Sequence, residues 1–276
     1  MEIVTLGPKG TYASKVADEI FPGEKLQFEP TISEVLDRAV TLNGANGNVI
    51  VLPLENSIEG TVRLSWDGIL EKGLKIHGIY KLPVHHVFAS KASDLKAIKK
   101  IASHPQAISQ CRKFLKKNLP GVEIEYVGST AEAVSKALGS EEVAAVASPF
   151  ACEDAGLSIL EEGIEDEKGN VTIFGVISAQ DVGEDFWPGR EKDEMHIMVT
   201  PKKNMPGLLF NILKPFNDSE IDLTRLESRP TRKKMGDYRF LLSFKMAGSS
   251  LKVEKVLKTL KKNYKVDILG ESIFLN

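Results

Sequence analysis

Between Met1 and Pro53 the chain alternates short apolar runs with amphipathic stretches, and that alternation admits few folds. MEIVTL is an apolar strand ended by Gly7-Pro8-Lys9-Gly10, and Thr11 to Ile20 carries a helical pattern. A second strand over Leu26–Glu29 leads into Thr31-Ile32-Ser33-Glu34, a capping-box spacing that opens a helix to about Leu42. NVIVLP is then continuously apolar, the pattern of a strand covered on both faces of a parallel sheet. The β-α-β-α-β order implies a parallel α/β layer with helices on its faces.

A second set begins near Pro83, with strands expected at His85–Ala89, Lys100–Ala102, Glu123–Val127 and Val143–Ala147. Helices are expected at Gln106–Asn118 and at Thr130–Leu138, the latter opened by the capping box Ser129-Thr130-Ala131-Glu132. A strand over Asn170–Ala179 returns to the first set. Two small α/β lobes joined by two crossings make a hinged clam suited to gripping a small molecule. Residues 181–194, charged and punctuated by Gly183, Pro188 and Gly189, read as a linker. Beyond it the order strand, helix, strand, strand, helix, strand over 195–276 is the split βαβ, or ferredoxin-like, unit.

A length of 276 residues accommodates these units, and 42% hydrophobic with 27% charged residues suits a water-soluble globular chain. The net charge of −2 gives no reason to expect nucleic acid or an anionic membrane as a partner. Lysine pairs at 116–117, 233–234 and 261–262 fall in polar helix or turn segments and read as solvated surface. The N-terminus has no signal-peptide pattern, and no apolar run approaches the ~20 residues of a membrane span. Cys111 and Cys152 lack CxxC spacing, so reduced thiols and a cytoplasmic location are expected.

Four polar clusters fall where first-domain strands end, the edge at which parallel α/β sheets bind ligands. Gly7-Pro8-Lys9-Gly10-Thr11-Tyr12 either brings donors to a carboxylate or is a turn that needs glycine. Glu55-Asn56-Ser57-Ile58-Glu59-Gly60 ends the most buried strand. Its density of polar groups points to a ligand, although Asn56 and Ser57 could equally fix a turn. His104, held extended before Pro105, either projects into a cleft with Gln106 or is structural. Asn170 and Thr172 share one strand face, which on its own is ordinary β-structure. His85 and His86 point to opposite faces of a strand, and His77 and His104 have no acidic ligand set, so no metal site is expected.

These clusters resemble the prephenate dehydratase family over almost the whole chain. GPKGTY, PLENSIEG, SHPQAISQC, STAEA and AAVAS follow the family's blocks in order, and PGLLFNIL with DLTRLESRP resembles its ACT-type domain. The resemblance implies an α/β fold: a two-lobed, periplasmic-binding-protein-like catalytic domain over 1–180, with lobes of about 1–80 plus 170–180 and 83–169, and a ferredoxin-like ACT domain over 195–276. It implies conversion of prephenate to phenylpyruvate with loss of water and carbon dioxide, without cofactor or metal. Thr172 matches the threonine of the family's Thr-Arg-Phe motif and is expected to donate or relay the proton. Thr11, Asn56, Ser57, His104, Gln106 and Ser148 would bind or position the substrate. Phenylalanine would bind the terminal domain through Gly207, Leu208, Asp222, Leu223, Glu227 and Ser228 in a homodimer or homotetramer.

One departure stands out. Ile173 occupies the place of the motif's arginine, the natural bidentate partner of a carboxylate. Lys9 and Arg63 are the replacement cations the sequence offers. The substitution also leaves open a non-catalytic anion or amino-acid sensor, and a dehydratase acting on arogenate.

Overall fold

Both halves of the expected α/β pattern form, with further elements between and within them. The computed structural model describes residues 1–42, 48–231, 236–246 and 250–276, so the 233–234 lysine pair lies outside the described residues. The chain runs β1 (Ile3–Leu6), α1 (Tyr12–Ile20), β2 (Leu26–Glu29), α2 (Ile32–Thr41), β3 (Val49–Asn56) and β4 (Gly60–Thr61). Next come α3 (Arg63–Lys72) and β5 (Lys75–Pro83), which like β4 were not expected. Then follow β6 (Val87–Ser90), β7 (Lys100–Ser103), α4 (Pro105–Gln110), α5 (Arg112–Asn118), β8 (Glu123–Tyr126) and α6 (Thr130–Leu138). After β9 (Val143–Ala147), α7 (Pro149–Asp154) and β10 (Ile159–Glu162) the chain returns through β11 (Val171–Ser178). The terminal unit is β12 (Glu194–Pro201), α8 (Leu208–Asp218), β13 (Leu223–Pro230), β14 (Tyr238–Lys245), α9 (Ser250–Asn263) and β15 (Tyr264–Phe274). No helix of the described residues is long and apolar enough to cross a membrane.

Contacts divide the chain into two compact units, the first comprising residues 1–35, 51–63 and 81–174, the second 36–50, 64–80 and 175–276. In the first, β1 pairs in parallel with β2, Ile3 opposite Leu26, and Thr5 Oγ1 donates to the Val51 carbonyl on β3 at 2.9 Å. A separate sheet orders β10-β6-β9-β7-β8. There β7 is parallel to β8 and β9, whereas β6 runs antiparallel to β9 and β10. Ala89, Ala102, Ala145 and Ala147 on one face of that sheet let Ala133 and Ala137 of α6 pack closely over it. The single helix expected over Gln106–Asn118 is broken at Cys111. The Gln110 carbonyl accepts from Asp166 N–H at 2.6 Å, and the Asp166 carboxylate accepts from Lys113 N–H at 2.9 Å, starting α5 afresh.

In the second unit β13-β14-β12-β15 form an antiparallel sheet, and β15 also lies parallel to β5. Met195, Ile197 and Val199 of β12 face α8 and α9, meeting Ile212, Phe216, Val253 and Val256. The opposite face receives α3. Fully buried Trp66 lies edge-on to His196, whose ring nitrogens sit 2.8 Å from Ser243 Oγ and Ser272 Oγ. Burial holds His196 down at about 4, so it is neutral near pH 7. Gly270 sits opposite Ile76 at φ +141°, where an added Cβ would lie 2.2 Å from the Ile76 carbonyl oxygen. Gly270→Ala is therefore expected to part β15 from β5 and cost about 2–4 kcal/mol in urea unfolding. An unfolding midpoint equal to that of the parent would count against this packing.

Candidate active site

The candidate site belongs to the first unit and starts from one turn. Asn56 ends β3, and its Oδ1 accepts from Ile58 N–H at 3.0 Å and Glu59 N–H at 3.1 Å. This side-chain turn fixes which end of the amide faces which way. Asn56 Nδ2 consequently donates to Asn170 Oδ1 at 2.7 Å and to Thr172 Oγ1 at 2.9 Å. Asn170 and Thr172 lie two residues apart at the start of β11, which puts both on one face. Ser57 braces the junction: its Oγ donates to Asn170 Oδ1 at 3.2 Å and accepts from Val171 N–H at 3.0 Å.

The network continues onto α4. Asn170 Nδ2 donates to Gln110 Oε1 at 3.3 Å, and His86 Nε2 lies 3.0 Å from the same oxygen. Burial lowers the His86 pKa, leaving a neutral ring. Tyr12, at the start of α1, donates its hydroxyl to the His85 carbonyl, and its ring stands edge-on to Phe150 at 5.2 Å. Burial also pushes the Tyr12 phenol up, so it stays protonated.

Around these groups lies a cleft of about 470 Å³. Three helix starts contribute to its wall: Thr11 before α1, His104 before α4 and Ser129 before α6. Each is a cap. Thr11 Oγ1 accepts from Ser14 N–H at 3.2 Å, His104 Nδ1 from Gln106 N–H at 3.3 Å, and Ser129 Oγ from Glu132 N–H at 3.0 Å. Asn56, Gln106, Gln110, Asn170 and Thr172 also line the cleft, with Glu59 at its margin. None of the lining residues is lysine or arginine, so positive potential in the wall comes from helix starts and neutral donors.

Of the expected site residues, Thr11, Asn56, His104, Gln106 and Thr172 are thus brought together in the wall. Ser57 stands behind it as a brace. Ser148 starts α7 fully buried, outside the lining, and among the described residues its Oγ has no partner. Lys9 and Arg63 also lie outside the lining, and Ile173 is half-buried on the strand face opposite Thr172. Gln110, Asn170, His86 and Tyr12 carried no expected role. Gln110 was accessible from sequence, since it follows Gln106 by one helical turn and shares its face.

In the terminal unit Gly207 (φ +75°) caps α8 and Leu208 is buried. Asp222 pairs with Lys245 at 2.8 Å, and Leu223 packs on the core. Glu227 and Ser228 face opposite sides of β13. Glu227 lies on the face of Arg225 and Arg229, with a buried Oε2 that has no partner among the described residues, while Ser228 is exposed.

A cleft walled by hydrogen-bond donors and helix starts, on a chain that also carries a βαββαβ unit, defines an α/β protein with a polar cleft shaped for a small molecule. The prephenate dehydratase family model matches residues 3–182. The chain is 37% identical over 272 residues to the prephenate dehydratase of Methanocaldococcus jannaschii, covering 96% of this chain and 95% of that one. The crystal structure of the Staphylococcus aureus Mu50 prephenate dehydratase superposes with a TM-score of 0.84 at 29% identity, covering 99% of this chain and all of that one. The Arthrobacter aurescens enzyme, solved in complex with L-Phe, gives 0.83 at 28% identity over 99% and 90%. The chain belongs to the prephenate dehydratase family.

Proposed function

We propose that this cleft converts prephenate to phenylpyruvate, water and carbon dioxide, a carbon–oxygen lyase reaction. The observation that carries the reading is the state of Thr172. Its oxygen accepts from Asn56 Nδ2, so its own proton is left for donation from the cleft wall. Prephenate loses its ring carboxylate as carbon dioxide, and the released electron pair completes the aromatic ring as the ring hydroxyl departs. Aromatisation supplies driving force, so the protein needs to orient the dianion and protonate the leaving hydroxyl. Thr11, His104 and Gln106 would bind substrate from the wall. Asn56 and Ser57 would hold Thr172, and Ser148 would support the neighbouring helix start. Helix starts and neutral donors in place of the motif's arginine would receive the carboxylates.

Residues 1–180 would form the catalytic domain and 181–194 a linker. Residues 195–276 would form an ACT-type domain that takes phenylalanine, the ligand of the Arthrobacter aurescens relative, between subunits of a cytoplasmic homodimer or homotetramer. Gly207 and Leu208 from α8, Asp222 and Leu223, and Glu227 and Ser228 are its expected contacts. The test is prephenate turnover, read as the ultraviolet absorbance of phenylpyruvate in alkali, with and without phenylalanine. Turnover suppressed by phenylalanine is expected; binding of prephenate with no product would sink the reading.

A further inference from the structure

A side-chain amide is nearly symmetric in shape but not in chemistry, since one end only donates and the other only accepts. Which end faces a ligand is decided by partners further away. Here the partners form a directed chain. Two backbone N–H groups pin Asn56 Oδ1, so Asn56 presents Nδ2 to Asn170. Asn170 must answer with Oδ1, and Ser57 Oγ adds a second donor to that oxygen at 3.2 Å. The other end of Asn170, Nδ2, is thereby turned to Gln110, whose Oε1 accepts it at 3.3 Å. His86 Nε2 lies 3.0 Å from that oxygen and can only donate to it, which leaves His86 Nδ1 without a proton.

The end of the chain is left open. Gln110 Nε2 is buried and among the described residues has no partner, and the same holds for His86 Nδ1. Both residues line the cleft, with Gln110 8% and His86 4% exposed. Buried polar atoms left unpaired are costly; of these two, the Gln110 Nε2–H donor is the one an accepting ligand group completes, since His86 Nδ1 can only accept.

We infer that Asn170 is a positioning residue: it transmits the amide orientation set by the Asn56 turn to Gln110, so that the cleft is offered the Gln110 Nε2–H donor, not a carbonyl oxygen, at the point where a carboxylate binds. This rests on the proposed prephenate reading for the identity of the carboxylate, but not for the orientation chain. Asn170 touches no reacting atom. Its effect is to choose the sign of the dipole that Gln110 presents.

Asn170→Asp separates the two ends of the relay. The carboxylate still accepts from Asn56 and Ser57, so Thr172 keeps its surroundings. Facing Gln110, however, an acceptor replaces a donor. Gln110 is expected to turn over, donate to the introduced carboxylate and present Oε1 to the cleft. KM for prephenate should rise about tenfold or more while kcat stays within about threefold. His86 would then face an N–H group and should exchange its Nε2–H tautomer for Nδ1–H. That exchange is visible in the nitrogen-15 imidazole spectrum, with the resonance assigned by its loss in His86→Asn. An unchanged KM and tautomer overturn the inference, as does a fall in kcat with KM unmoved.

Should Asn170→Asp fail to fold, Gln110→Glu tests the same chain from its far end. The carboxylate still accepts from Asn170 and His86, so the Nε2–H tautomer should persist while KM rises by a similar factor. An unchanged KM there also overturns the inference. The imidazole spectrum needs no substrate. If the parent protein does not turn over prephenate, the functional reading falls while the orientation chain is still tested.

Discussion

Thr172→Val is expected to lower kcat for prephenate by about 10²–10⁴-fold while KM stays within about threefold. Valine matches threonine in shape and in strand preference, so β11 should form as before. What disappears is one oxygen, the acceptor for Asn56 Nδ2 at 2.9 Å. Asn56 keeps Asn170 Oδ1 at 2.7 Å and both backbone donors, so the turn that closes β3 survives. The variant therefore removes the proposed proton donor and little else. A threonine hydroxyl is a weak acid, and its service here depends on being held by a network that leaves its proton in the cleft. Thr172→Ser keeps the hydroxyl but not the methyl, and should retain activity within about tenfold. If Thr172→Val turns over prephenate at the parental rate, the proton comes from elsewhere, and the Glu59 carboxylate at the cleft margin becomes the first group to examine.

The parts of this arrangement that sequence reveals are those written in local pattern. Capping-box spacing at Thr31–Glu34 and Ser129–Glu132 marks α2 and α6, and strict apolar runs mark β3 and β9. The terminal βαββαβ order is equally clear, because α8, α9 and β13 each show one buried and one polar face, while β12 and β14, buried on both, read as apolar runs. By contrast α3 buries Ser65, Trp66, Asp67, Gly68 and Ile69 in succession. A helix packed on more than one side has no polar stripe, so the 3.6-residue signal is absent. The break at Cys111 depends on Asp166, more than fifty residues along the chain, which no local window contains. The site divides the same way. Thr172, Asn56 and His104 sit in motifs that resemble the family's, whereas the importance of Asn170 and His86 lies in hydrogen bonds between side chains distant in sequence. The family likeness also suggests one pocket for Glu227 and Ser228, but strand alternation sends them to opposite faces of β13 within one chain.

Asp67→Ala is expected to destabilise the protein by about 3–5 kcal/mol, measured as a lower urea midpoint at constant slope. Arg229 on β13 and Arg239 on β14 are directly opposite one another in the strand register. Like charges in that relation repel, and here both are largely buried, their side chains only 5% and 16% exposed. Asp67 of α3 reaches both: Oδ2 lies 3.1 Å from Arg229 Nη2 and Oδ1 lies 2.8 Å from Arg239 Nη2. Its removal leaves two facing guanidinium groups short of the carboxylate that separates them, which costs far more than loss of an exposed pair. Asp218→Ala, which breaks the exposed i,i+4 pair with Lys214, should by comparison leave the urea midpoint almost unchanged. The neighbouring contacts reinforce the same helix: Trp66 is fully buried, and the Arg225 guanidinium stacks over its ring at 5.2 Å. If repulsion between the arginines is the main penalty, removing one should relieve it. The double variant Asp67→Ala/Arg239→Met should then be more stable than the sum of the single effects predicts, by about 1–3 kcal/mol. Strict additivity would assign the loss to packing of α3 and not to charge. Arg229 is also the arginine of the Glu227-Ser228-Arg229-Pro230 motif. A charge-driven result would therefore mean that this part of the proposed effector segment is held in place by an aspartate on α3, the helix that begins one residue after the cleft-lining Val62.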